Sequence, residues 1–165
     1  MSLDTITTLA TLAGTALNKH ASVLATAESC TGGGIAEAIT RISGSSAWFD
    51  RGFVTYSNEA KTEMLGVSAA LIAEYGAVSE ETARAMAEGA IEHSKAAVAI
   101  SVTGVAGPTG GTARASVGTV CFAWAHREGR IESERRQFDG DREAVRRQSV
   151  IHALQGLLRF IENPV

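Results

Sequence analysis

Proline, cysteine and aromatic residues are scarce in this chain. Two prolines and two cysteines occur in 165 residues, and Phe, Trp and Tyr together make up 5%. Cys30 and Cys121 supply neither a disulfide framework nor a zinc-binding spacing, and no His/Cys/Asp cluster points to a metal. The chain therefore reads as a reduced, cytoplasmic protein without metal or other cofactor. No apolar run approaches the roughly eighteen residues that a membrane span needs. Met1-Ser2-Leu3-Asp4 has no basic stretch leading into an apolar one, so no signal peptide is read. An excess of positive charge is missing too. A net charge of −3 leaves no general nucleic-acid footprint. Internal repeats, low-complexity segments and linkers are absent.

What is present is the composition of a globular enzyme-sized domain, 45% hydrophobic and 20% charged. The length fits one domain, residues 1–165, able to bury a real core. Ile6, Leu9, Leu12, Ala13 and Leu17 recur at helical spacing and predict a helix over Leu3 to Lys19. Apolar runs predict strands at Ser22 to Ala27, Trp48 to Tyr56 and Ala96 to Val102. Val117 to Ala125 and Arg130 to Phe138 read as a hairpin that turns near Arg127-Glu128-Gly129. Further helices are predicted over Gly32 to Ile42, through Leu65, over Leu71 to Tyr75, and over Glu80 to Ser94 with Ser79 as N-cap. Asp139-Gly140-Asp141 opens a last helix to about Ile161. Helices separate the early strands, which predicts an α/β fold: a mixed sheet with helices packed on both faces.

The most informative stretch is Thr26-Ala27-Glu28-Ser29-Cys30-Thr31-Gly32-Gly33-Gly34. An apolar strand ends there in small hydroxyl, thiol and glycine residues, and a helix begins. Such a junction offers free backbone N–H groups and the positive end of a helix dipole to an anion or a developing oxyanion. Ser29 is the candidate nucleophile. Cys30 is its rival, although no histidine lies in a motif that would activate a thiol. Without chemistry, the same stretch is an anion-binding or tight-packing turn.

A second segment, Thr55-Tyr56-Ser57-Asn58-Glu59-Ala60-Lys61, places a tyrosine at a strand end and a lysine one turn into a helix. A desolvated lysine loses basicity, and a nearby ammonium lowers the pKa of a tyrosine, so either could take a proton from a serine. Taken alone, the segment reads rather as a surface lysine beside a packed tyrosine. The glycine-rich loop Thr103-Gly104-Val105-Ala106-Gly107-Pro108-Thr109-Gly110-Gly111 fits neither a dinucleotide fingerprint nor a Walker loop. It lets backbone approach a ligand closely. Arg142 and Arg146 stand four apart at the start of the last helix and could take a phosphate or simply face solvent.

Taken together these segments resemble the CinA C-terminal domain family. The resemblance adds Gly44-Ser45-Ser46-Ala47-Trp48-Phe49, Gly76-Ala77-Val78-Ser79, Val117-Gly118-Thr119-Val120 and Gly140-Asp141-Arg142, in order along nearly the whole chain. It implies an α/β fold, frequent homodimers and nicotinamide-nucleotide amidase activity of the PncC type. Nicotinamide mononucleotide and water would give nicotinic acid mononucleotide and ammonia, within pyridine-nucleotide salvage. The serine, tyrosine and lysine set proposed for the family carries onto Ser29, Tyr56 and Lys61. Either the Thr31-Gly32-Gly33 helix start or the Ser45-Ser46 turn is expected to supply the oxyanion donors. The remaining substrate contacts are expected from Thr103, Gly104, Gly107, Gly110 and Arg142. Longer relatives carry an N-terminal domain of the molybdopterin-binding type, and none of its activity is expected here. The alternatives are a nucleotide-binding or competence- and damage-related regulatory module without turnover, and an amidase built on Cys30.

Overall fold

In the computed structural model, which describes residues 4–163, the elements follow the predicted order. They are α1 (Thr5–Lys19), β1 (Leu24–Glu28), α2 (Gly34–Thr40), β2 (Phe49–Val54), α3 (Asn58–Leu65), α4 (Ala69–Tyr75), α5 (Glu80–Glu92), β3 (Val98–Gly104), β4 (Thr119–His126), β5 (Ile131–Gln137) and α6 (Arg142–Glu162). The residue Leu3, read above as the first of the opening helix, lies outside the described residues. Small polar side chains start the helices, at Ser79 and Asp141 as predicted and at Ser57 besides. Ser57 accepts from Ala60 N–H, Ser79 from Thr82 N–H and Asp141 from Ala144 N–H.

The strands form one mixed sheet in the order β2-β1-β3-β4-β5. β1 pairs in parallel with β2 and β3, and β4 runs antiparallel to β3 and β5. The two faces carry different side chains because residues alternate along each strand. Leu24, Ile100, Val102, Phe122 and Trp124 face α1, α2 and α6 in one core. Ala25, Ala27, Ala99, Cys121 and Ala123 face the other way. These small residues let α5, through Ala83, Met86, Ala87 and Ala90, lie directly on the sheet. Helices cover both faces, as a sheet of buried parallel strands requires. Among the described residues no helix is long and apolar enough to cross a membrane.

Most predicted boundaries shift by one or two residues, and three of the shifts lie near the site. α2 begins at Gly34 rather than Gly32, because Gly32 and Gly33 hold φ of 58° and 99°, the left-handed region that glycine tolerates. β2 stops at Val54, although Thr55 N–H still bonds Glu28 C=O at 2.8 Å. β4 begins at Thr119, after Gly118 with φ of 92°.

Candidate active site

The alternation that builds the two cores also sorts the end of β1. Leu24, Thr26 and Glu28 point toward the α2 face, while Ala25, Ala27 and then Ser29 point toward the α3 and α5 face. Ser29 N–H bonds Val102 C=O at 3.0 Å, so the serine is still tied to β3 as the chain leaves the sheet. This is the carboxyl end of three parallel strands, where open α/β sheets place their ligands.

α3 delivers the partner. Lys61 and Leu65 are four apart, share the face turned to the sheet, and are both buried. Lys61 is 1% exposed, and its Nζ lies 3.2 Å from Ser29 Oγ. Its other polar neighbours are the carbonyls of Thr55 and Tyr56, each at 3.2 Å, and of Ser57 at 3.5 Å. None of the ion pairs among the described residues includes Lys61. Burial without a carboxylate penalises the ammonium and holds the lysine pKa below its ordinary value. A neutral amine within hydrogen-bond range of a serine is the geometry of a general base.

The tyrosine is arranged the opposite way. Tyr56 is 62% exposed, and Ser29 Oγ donates to its backbone carbonyl at 3.4 Å. Its hydroxyl receives a bond from Arg142 Nη2 at 3.2 Å. The surface lysine and packed tyrosine that the segment allowed by itself are thus inverted. Arg142 also donates through Nη1 to Gly107 C=O at 2.8 Å, so α6, the glycine-rich loop and Tyr56 meet at one guanidinium. A cavity of about 410 Å³, lined by Ala106, Pro108, Val117, Asp141 and Arg142 among others, opens beside them.

Within the loop, Thr103 is buried beside Ser29's strand neighbour Val102, and its hydroxyl donates to Ala77 C=O at 2.8 Å. Gly104 closes β3 where any side chain would strike Val120, and Gly110 lies exposed at φ of 92°. Ser45 and Ser46 are not brought to the site. They form a short 3-10 turn that leads into β2 beside Leu24. Parallel pairing puts them at the amino end of the strands, ~17 Å from Ser29 at roughly 3.3 Å per residue from Leu24. The expectation of oxyanion donors there is corrected accordingly.

The start of α2 is corrected as well, through Glu28, which sequence reasoning missed. Glu28 is buried, and its carboxylate accepts from Ile35 N–H at 2.8 Å, Ala36 N–H at 3.0 Å and the Thr31 hydroxyl at 2.6 Å. The protein's own carboxylate therefore fills the helix terminus expected to receive an external anion. The N–H groups of Cys30 and Thr31, just before the helix, make no bond among the described residues. Burial pushes the Cys30 thiol up to about 12, which leaves it little thiolate character. No group of three or more His, Cys, Asp or Glu that could hold a metal occurs among the described residues.

Fold and site together define a small α/β domain with a buried serine–lysine pair at a strand-to-helix junction. The chain belongs to the CinA C-terminal domain family, whose model matches residues 6–161. It is 59% identical over 158 residues to "Nicotinamide-nucleotide amidohydrolase PncC" of Pseudomonas putida, covering 96% of this chain and 98% of that one. The protein of the same name from Escherichia coli K12 is 52% identical over 151 residues, covering 91% and 92%. The crystal structure of competence/damage inducible protein CihA from Agrobacterium tumefaciens superposes with a TM-score of 0.93 at 44% identity, covering 99% of this chain and 100% of that one.

Proposed function

We propose that this protein hydrolyses the carboxamide of nicotinamide mononucleotide, giving nicotinic acid mononucleotide and ammonia in pyridine-nucleotide salvage. The observation that carries the mechanism is the 3.2 Å contact between Ser29 Oγ and a buried Lys61 Nζ that lacks a counter-ion. The amide substrate is supported by the printed activity of relatives matched along almost their whole length.

The steps balance on these two side chains. Neutral Lys61 takes the Ser29 proton as Oγ bonds to the carboxamide carbon, and the carbonyl becomes an oxyanion. The free N–H groups of Cys30 and Thr31 are its donors, each worth ~3 kcal/mol of barrier. Lys61 returns the proton to the departing nitrogen, which leaves as ammonia. Water then attacks the acyl-serine, gives a proton to Lys61, and releases the acid as Ser29 regains its hydrogen. Arg142, with Tyr56 and Gly107, is the proposed phosphate contact, and Thr103, Gly104 and Gly110 shape the approach. The reading also takes the working molecule as a cytoplasmic homodimer. Two buried, unpaired cysteines fit a reducing compartment, and the dimer rests on the family resemblance.

The test is product analysis with the purified protein. Nicotinamide mononucleotide should yield equal amounts of ammonia and the acid mononucleotide, while free nicotinamide, which has no phosphate, should be a poor substrate. Binding without turnover would instead support the regulatory module.

A further inference from the structure

The geometry points to Arg146 as a positioning residue that sets the oxyanion donor, a role that rests on the amidase reading above. Arg146 reaches from α6 to the loop after Ser29. Its Nε donates to Cys30 C=O at 3.1 Å and its Nη2 to Thr31 C=O at 3.3 Å. No ion pair among the described residues includes it, so its two strands of contact are both backbone carbonyls of this loop. The fit is close: a Cβ on Gly32 would stand 3.3 Å from Arg146 Nη2.

The consequence follows from peptide planarity. In a trans peptide the C=O and the next N–H point in opposite directions. Holding Cys30 C=O toward α6 turns Thr31 N–H away from α6. α6 packs on the sheet face of Leu24 and Phe122, whereas Ser29 Oγ is directed to Lys61 on the other face. Thr31 N–H is thus directed to the side where the nucleophile works. Thr31 is 2% exposed, and an N–H in such a place needs a partner. A developing oxyanion supplies one. Glu28 anchors the same loop from beneath through the Thr31 hydroxyl. A planar fork that bonds two successive carbonyls is a task for arginine, and lysine cannot reproduce it.

The experiment compares Arg146→Ala and Arg146→Lys with the parent and Ser29→Ala, using nicotinamide mononucleotide as substrate and thermal melting as the control for folding. The expected result is a loss in kcat of roughly ten- to a hundredfold in both Arg146 variants, with KM changed less than about threefold, since a donor is displaced rather than deleted. Millimolar guanidinium should restore part of the kcat of Arg146→Ala. If Arg146→Lys melts like the parent and keeps its kcat, the inference is overturned while the amidase reading stands. If kcat and KM worsen together as melting falls, and guanidinium restores nothing, the residue only packs α6 and the inference is again overturned. A parent without turnover overturns the amidase reading, and the inference falls with it.

Discussion

Lys61 Nζ lies 3.2 Å from Ser29 Oγ, and its three other polar neighbours are backbone carbonyls. The carbonyls satisfy the N–H groups of a neutral amine without supplying a full negative charge. That leaves the burial cost of the ammonium only partly offset, and the balance lowers the lysine pKa. A carboxylate in the same place would raise it and remove the base.

The first prediction concerns pH. Catalysis needs neutral Lys61, so kcat should rise with pH through an apparent pKa below the ordinary 10.5 of lysine and then level off. Stability carries the same sign. The folded pKa is below the unfolded one, so between the two the unfolded chain binds more protons and stability rises with pH. Lys61→Met removes this term. The parent should lose stability relative to Lys61→Met as pH falls through the folded pKa, in denaturant melts across that window. A pH-independent difference would contradict a lowered lysine.

Tyr56 and Arg142 should affect binding more than chemistry. Tyr56→Phe removes only the hydroxyl that Arg142 touches. It is expected to raise KM a few-fold and to leave kcat within about threefold, against the roughly hundred- to ten-thousandfold loss of kcat expected on removing a general base. Arg142→Ala should raise KM for nicotinamide mononucleotide about ten- to a hundredfold if the guanidinium meets the phosphate, and should leave nicotinamide riboside untouched. Steady-state kinetics on both substrates separates the two.

Glu28 should prove structural. Glu28→Gln keeps the size but removes charge and one acceptor from the start of α2. It should destabilise the fold by about 1–3 kcal/mol in urea unfolding. Unchanged stability would contradict its part as the cap of α2.

Cys30 should be dispensable. Its thiol is buried and held protonated, so Cys30→Ala should retain turnover within a few-fold, and thiol alkylators should inhibit slowly if at all. Rapid inactivation by an alkylator would favour the cysteine reading.

Much of the fold is legible in the sequence. The order of elements and the caps at Ser79 and Asp141 follow from periodicity and capping, and Ser29 stands out at a strand-to-helix junction, whereas its pairing with Lys61 comes from the family resemblance. The burial of Lys61 is not legible: local spacing favours a surface lysine, and only the fold shows it sharing the buried face of α3 with Leu65. Three further features are not legible either. Glu28 reads as one more polar residue at a strand end, and only the fold shows its carboxylate inside the turn that it caps. Ser45 and Ser46 look like Thr31 and Gly32 in sequence, but parallel pairing sends a segment that precedes a strand to the end opposite one that follows it. Arg146 is separated from Cys30 by most of the chain, and no local pattern links them.

The measurement that tests the central claim most directly is ammonia release from nicotinamide mononucleotide by the parent, Ser29→Ala and Lys61→Met, each shown folded by circular dichroism. The account predicts turnover by the parent, none detectable in Ser29→Ala, and a loss of roughly a hundred- to ten-thousandfold in Lys61→Met. Full activity in a folded Ser29→Ala would contradict it.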